Sequence, residues 1–360
     1  MSTTNNNSIS TTTIVTDLIN KEEVFRILAL GASTELPVLL NVEKGTAKTA
    51  TVLDFMKSFV GETGKDFVIE LSNDTKASSL LGKPDMKKYA EEKQWEMERP
   101  IADADVVVIN EVDKSTIAVR NVLLSVMSEK RIHDGKYSKD CNYRLFVATA
   151  NEIPKGEETL PFWDRFPIKY DMPRVSNKDL LKFMSGDRKK KPTITISIPT
   201  KQQLLEMDCN YEYVGAFLDE LDKQAKSNKQ GEGISFSDRA KTKLDLLIKA
   251  TKVIWNLSEE EAVLKVASIF CKSIVKALEP KLMPAEIAFI LGMINDLEGE
   301  ASFVSKKNTF PGLRAKFNKL KQDPKMAKYV SSLEAKVNKI QDSLDAEALK
   351  DLEDATESAF

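Results

Sequence analysis

Residues 104–111 read Ala-Asp-Val-Val-Val-Ile-Asn110-Glu111. Val106 to Ile109 form a continuous apolar run, the kind of strand that a parallel sheet buries on both faces. The run stops abruptly at an amide and a carboxylate, so a strand end carrying polar chemistry is expected there. Working outward, residues 115–129 read as an amphipathic helix through Ile117, Val119, Leu123, Leu124 and Met127. Residues 143–149 (Tyr-Arg-Leu-Phe-Val-Ala-Thr) are a second buried strand. Between them, residues 131–144 place His133-Asp-Gly135 between two extendable stretches, which predicts a hairpin. Upstream, residues 20–32 carry Val24, Ile27, Leu28 and Ala32 at helical spacing. Strands are expected at 37–42 and 66–71, a helix at 48–60, and a further helix near 85–97 within a polar stretch. Helix and strand alternate throughout, which is the order of an α/β domain with a parallel sheet.

Beyond Pro173 the pattern changes. Residues 186–199 suggest a linker or a surface strand. From about residue 200 the chain reads as almost entirely helical, with segments at 201–226, 236–256, 258–278, 284–297, 311–321 and 325–352. Val330, Leu333, Val337, Ile340 and Leu344 recur at spacings of three and four. With fewer than three clean heptads, ordinary packing of a helix on its own body is the better account than a coiled coil.

Composition excludes several classes. Lys plus Arg number 53 and Asp plus Glu 55, so the net charge is −2 and the whole chain carries no strongly basic footprint for nucleic acid. The densest basic run, Arg188-Lys-Lys-Lys191, reads as a solvated loop, so no nucleic-acid partner is expected. His133 is the only histidine, which leaves little from which to build a Ser-His-Asp triad or a multi-histidine metal site. Cys141, Cys209 and Cys271 are widely spaced and form no CxxC pair, which fits reduced thiols in a cytoplasmic protein. No apolar stretch approaches the ~18 residues of a membrane span. Residues 1–13 are rich in Ser, Thr and Asn and lack a basic start or apolar run. They are read as a disordered tail rather than a signal peptide.

Five short motifs carry chemistry. Val42-Glu43-Lys44-Gly45-Thr46-Ala47-Lys48-Thr49 joins a strand to a helix. A phosphate-binding loop needs inward backbone N–H groups, a lysine for the terminal phosphates and a hydroxyl for Mg²⁺, and Lys48 and Thr49 stand at the helix start where anions are favoured. The GxxxxGK[ST] pattern is not met, because Val42 and Ala47 occupy its glycine positions. Asn110-Glu111 ends the buried strand where a metal-binding Asp and a water-polarising Glu normally serve a phosphate loop. Asn110 supplies an amide in place of the charge. Asn151 follows the strand Phe146-Val-Ala-Thr149-Ala150 and can orient water beside a γ-phosphate. Asp164-Arg165 and Asp238-Arg239 complete the set. Alone, such pairs are ordinary surface ion pairs or helix caps.

In this order the motifs resemble those of the AAA+ ATPases, and within them the MoxR group and its RavA-like branch, over roughly residues 20–256. The resemblance implies a Walker A loop at Val42–Thr49 (residues Val42, Glu43, Lys44, Gly45, Thr46, Ala47, Lys48 and Thr49) binding ATP. It implies Walker B at Val106–Glu111, with Mg²⁺ served by Thr49 and Asn110, and a hairpin before sensor 1. Glu111, Asn151 as sensor 1, Arg165 as arginine finger and Arg239 as sensor 2 would then be catalytic. The implied organisation is a tail at 1–13, an αβα P-loop core at 14–175, a linker at 176–199, an all-α lid at 200–280 and a C-terminal helical extension at 281–360. Proteins of this group build rings, usually hexamers, with ATP at subunit boundaries. They remodel protein clients in a chaperone-like way, often with a von Willebrand A-domain partner, which here would be a separate polypeptide. Val42, Glu43 and Asn110 depart from the group's pattern. Two outcomes therefore stand open: a working ATPase, or a catalytically impaired ring scaffold that binds nucleotide or nothing.

Overall fold

Val106 through Asn110 are buried at every position and form an interior strand, β6. The structure is a computed structural model. It describes residues 9–16, 18, 20–41, 48–61, 64–84, 91, 97–98, 100–134, 137–153, 160–173, 181, 193–227, 238–298, 303–322 and 324–357. These fall into two compact units, Met1–Val214 with Ala225–Lys272, and Gly215–Gln224 with Ser273–Phe360.

In the first unit the strands in chain order are β1 Ser10–Val15, β2 Val38–Asn41, β3 Asp66–Glu70, β4 Lys83–Pro84, β5 Met97–Glu98, β6 Val106–Asn110, β7 Arg131–Asp134, β8 Tyr137–Asp140, β9 Leu145–Ala150, β10 Ile168–Asp171 and β11 Thr193–Ile198. Five of them make a parallel sheet in the order β10-β2-β9-β6-β3. The register pairs Val38 with Val147 and Val106 with Leu145, so all five carboxyl ends lie along one edge. Helices α1 (Glu22–Thr34), α2 (Lys48–Val60) and α3 (Ile117–Glu129) accompany the sheet. The start of α3 is fixed by Thr116, whose hydroxyl accepts from the Val119 N–H and satisfies a donor that the first helical turn leaves open. One large core cluster, including Leu39, Val107, Leu123, Phe146, Trp163 and Phe166, is buried against this sheet.

Strands expected at 37–42, 66–71, 104–109 and 143–149 and helices at 48–60 and 115–129 correspond to observed elements within a few residues. The hairpin expected at 131–144 is β7 paired with β8, Arg131 opposite Asp140. Strand β10 is an addition; it is short, lies at the sheet edge and carries Lys169, so its sequence lacks the apolar run of its neighbours. The helix expected near 85–97 lies almost wholly outside the described residues.

The reading of 1–13 as a disordered tail is corrected for residues 10–13. Ser10–Val15 pairs antiparallel with Thr193–Ile198, so part of the stretch expected as linker is also a strand. Most of the residues are β-branched, and Ile14, Ile196 and Ile198 are buried along this ribbon while several threonines remain exposed. Composition sees the polar hydroxyls; pairing uses the branched Cβ and one buried face.

The helical segments expected after residue 200 are observed with more breaks. The run at 236–256 divides into Asp238–Lys241 and Leu244–Trp255. The run at 258–278 opens on a capping box at Ser258 and Glu261 and ends at Phe270, before a 3₁₀ turn and a short helix. The second unit packs Ala285–Glu298, Phe303–Leu320 and Pro324–Glu357 around Leu291, Ile294, Leu313, Phe317, Val330, Leu333 and Val337. The heptad-like seam is thus spent on the body of its own unit.

Candidate nucleotide site

The carboxyl edge of the sheet gathers side chains that are far apart in sequence. Asn110 ends β6, Asn151 follows β9, and Lys48 opens α2 after β2. Lys48 Nζ donates to Asn151 Oδ1 at 2.6 Å and lies 3.9 Å from Glu111 Oε1. Asn151 Nδ2 in turn donates to Glu111 Oε1 at 3.5 Å. Lysine, glutamate and asparagine therefore meet at one point beside the first turn of a 13-residue helix.

Local backbone geometry aims Glu111. Its φ of 56° is left-handed, a conformation uncommon for a residue with a Cβ, and it turns the chain from β6 into the 3₁₀ turn Val112–Lys114. That turn brings Lys114, three residues on, back onto the Glu111 carboxylate as an ion pair. The Thr149 hydroxyl ties the neighbouring strands together. It accepts from the Glu111 N–H and donates to Asn110 Oδ1, each at 3.2 Å. Asp113 Oδ1 accepts from the Asn151 N–H at 3.4 Å. The hydrogen bond from Lys114 holds the Glu111 carboxyl below the usual carboxylate range, burial opposes this, and Asn151 and Lys48 add to the lowering. Reciprocally, Glu111 raises Lys114.

The donor set bears on what this edge would hold. Its cations, Lys48 and Lys114, suit an anion. Its oxygens near Thr49 and Asn110 are a neutral hydroxyl and a neutral amide, and among the described residues no cluster of three or more His, Cys, Asp or Glu is placed for a metal ion. Lys48 and Lys114 thus fit a polyphosphate, and Thr49 and Asn110 are the oxygens that would serve a Mg²⁺ arriving with it. Residues 42–47, expected to cradle the phosphates, lie outside the described residues.

Arg165 and Arg239 sit elsewhere. Arg165 precedes β10, and its Nε donates to Ser128 Oγ at 2.9 Å while Nη1 reaches the Pro161 carbonyl at 3.3 Å. Arg239 Nη1 donates to the same Ser128 oxygen at 3.3 Å. Ser128 lies in the last turn of α3, ~16 Å along the helix from its start. Nearby, Lys130 Nζ reaches the Tyr143 carbonyl and the Arg144 N–H bonds Asp105, which places this end of α3 at the amino edge of β6 and β9. The two arginines and the Lys48 cluster therefore occupy opposite edges of one sheet.

Residues 6–207 match the family described as the MoxR domain in MoxR–vWA–β-propeller ternary systems. The chain belongs to the MoxR family. It has the parallel sheet and following helices of the AAA+ fold. A candidate ATPase from Cytophaga hutchinsonii, solved as a crystal structure, shares this fold with a TM-score of 0.55 and 19% identity, over 70% of this chain and 82% of that one. An uncharacterized protein of Methanocaldococcus jannaschii is 31% identical over 140 residues, covering 38% of this chain and 36% of its own. A structural protein of Acidianus two-tailed virus is 30% identical over 144 residues, covering 39% of this chain and 23% of its own. The chain thus spans about a quarter to a third of the length of these curated relatives.

Sequence reading of this MoxR domain did not single out Lys114, Thr149, Asp113 or Ser128 as site residues. Lys114 had a signal: in a 3₁₀ turn, residues three apart eclipse, so a lysine three after Glu111 faces it. Thr149 lies across the ladder from Asn110, which only the strand register reveals. Ser128 carries no local signal at all. Of the three thiols, Cys141 and Cys271 are buried, and all are pushed up by burial, to about 11 for Cys141 and Cys209 and about 12 for Cys271. That is the inert behaviour of packing residues. Among the described residues no helix is long and apolar enough to cross a membrane.

Proposed function

We propose that this chain is a cytoplasmic ATP-hydrolysing motor of the RavA-like branch, working as a ring, usually a hexamer, that remodels a protein client. The convergence of Lys48, Glu111 and Asn151 carries this reading. Those residues come from three separate segments yet share one point at the sheet edge where the phosphates of a nucleotide would lie. In the proposed scheme residues 14–175 form the nucleotide-binding core, 200–280 the lid and 281–360 an extension for ring contacts or partner docking. The family's description in MoxR–vWA systems supports a separate von Willebrand A-domain partner.

The chemistry follows from the side chains. ATP binds with its phosphates against Lys48, whose ammonium leaves Asn151 and Glu111 for the incoming anion, and against the loop Val42, Glu43, Lys44, Gly45, Thr46 and Ala47. Mg²⁺, arriving with ATP and served by Thr49 and Asn110, supplies charge neutralisation on the phosphate oxygens. Glu111, relieved of Lys48, accepts a proton from the attacking water, and Asn151 orients that water. Arg165 and Arg239 face away from their own subunit's nucleotide edge, so they would act on a neighbour's γ-phosphoryl oxygens. An arginine finger supplied in trans contributes ~10³–10⁵ in rate in phosphoryl-transfer systems.

One observation favours a second reading, a nucleotide-regulated scaffold: both Glu111 oxygens are already engaged, by Lys114 and by Asn151 with Lys48, next to a neutral Asn110. Phosphate release at saturating ATP and Mg²⁺ separates the two. Turnover in the wild type, lost in Lys48→Ala and in Glu111→Gln with nucleotide binding kept in Glu111→Gln, supports the motor. Nucleotide binding without turnover in the wild type establishes the scaffold.

A further inference from the structure

Two arginines from distant parts of the chain meet at a single exposed hydroxyl. Ser128 Oγ accepts from Arg165 Nε at 2.9 Å and from Arg239 Nη1 at 3.3 Å, across 37 and 111 residues of sequence. Like charges resist this approach. Arg165 has one carboxylate nearby, Asp164 at 3.8 Å, and among the described residues Arg239 forms no ion pair. The oxygen they share is what holds them together. A guanidinium carries five N–H donors in a rigid fork. The contacts to Ser128 and Pro161 leave most of those of Arg165 for an oxyanion, and the same holds for Arg239.

We propose that Ser128 is a positioning residue that fixes Arg165 and Arg239 as a paired fork for the terminal phosphate of a neighbouring subunit's nucleotide. The proposal rests on the motor reading above. Ser128 touches no nucleotide itself; it acts through the two arginines, setting their separation and heading before the neighbour arrives. Misplacement of such groups by an ångström costs rate rather than binding, because the nucleotide is held by its own subunit's Lys48 edge. Ser128 is exposed, so its truncation opens no buried cavity.

The test compares full-length wild type, Ser128→Ala and Ser128→Thr for steady-state turnover, nucleotide Kd and thermal midpoint. The expected result is a fall in kcat of about tenfold or more for Ser128→Ala, with Kd and thermal midpoint unchanged, and recovery in Ser128→Thr. Mixing Ser128→Ala with Lys48→Ala subunits then raises turnover above either alone. At one kind of boundary in the mixed ring, the intact Lys48 edge of a Ser128→Ala subunit meets the correctly held arginines of a Lys48→Ala neighbour. Wild-type turnover in Ser128→Ala, no recovery in Ser128→Thr, or no gain on mixing overturns this proposal while the motor reading stands. Absence of turnover in the wild type removes the motor reading and this proposal with it.

Discussion

Replacing Asn110 by aspartate asks directly whether this amide stands where a metal-binding charge belongs. Asn110 is 4% exposed, and its Oδ1 accepts a hydrogen bond from Thr149 at 3.2 Å. A carboxylate there adds a buried negative charge beside Glu111, with Lys48 and Lys114 as the nearby compensating cations of the cluster. Burying an ion costs several kcal/mol in effective terms. The Thr149 hydroxyl would still donate, and a hydrogen bond to a charged group returns about 1.5–3 kcal/mol. The expected balance for the nucleotide-free protein is a loss of about 2 kcal/mol, or roughly 5 °C in thermal midpoint for a unit of this size. With Mg²⁺ and ADP present much or all of that loss is offset. On the proposed placement the new carboxylate would face the cation, and a gain of ~10–100-fold in Mg²⁺ affinity is expected, equivalent to about 1.4–2.8 kcal/mol. Thermal scans with and without Mg²⁺–ADP, and a Mg²⁺ titration of turnover, read both effects. A variant as stable as wild type without nucleotide, and with an unchanged Mg²⁺ midpoint, would refute the placement of Asn110 beside the metal.

Two further outcomes concern stability. A Cβ at Gly31, inside α1, would lie 2.3 Å from Val38 Cγ2 and 3.1 Å from Leu145 Cδ1. The helix-propensity gain of Gly31→Ala, about 1 kcal/mol, is outweighed by overpacking against two fully buried side chains. A net loss of about 1–2 kcal/mol in urea unfolding is expected, and a neutral or stabilised variant would show that α1 does not approach the sheet this closely. In the second unit, Lys281 and Lys223 hold the buried Glu220 carboxyl below its usual range. A depressed folded pKa contributes stability above the unfolded value of about 4.3, and that contribution is lost as pH falls through the folded one. Glu220→Gln should therefore be less stable than wild type near pH 7, and the difference should start to narrow as pH falls below about 4.3 and vanish once pH is below the folded pKa. A gap that stays the same size throughout the acid titration would assign the effect to shape rather than charge.

Much of the α/β core was legible because its strands are buried on both faces. Val106–Ile109 and Leu145–Ala148 show no polar alternation to confuse them with loops, and the helices between them carry clear apolar spacing. Short edge elements were not legible. β10 has Lys169 in its middle, and β1 reads as a Ser/Thr-rich tail until its partner, more than 170 residues away, is known. At the candidate site, residue types at a helix start and two strand ends singled out Lys48, Glu111 and Asn151, which the fold brings together. The ion pair that Lys114 makes with Glu111 depends on the left-handed turn at Glu111, which sequence does not announce.

By itself, the order of apolar runs and strand-end polar residues determined a parallel-sheet ATPase-like fold and the residues to examine, because burial on two faces and phosphate chemistry both leave local marks. Only tertiary structure decided that Lys48, Glu111 and Asn151 share one edge while Arg165 and Arg239 share Ser128 at the other. Which edge a side chain occupies is set by strand register and by the direction in which each helix runs back. Those are properties of contacts between distant segments, and no local stretch of the chain encodes them.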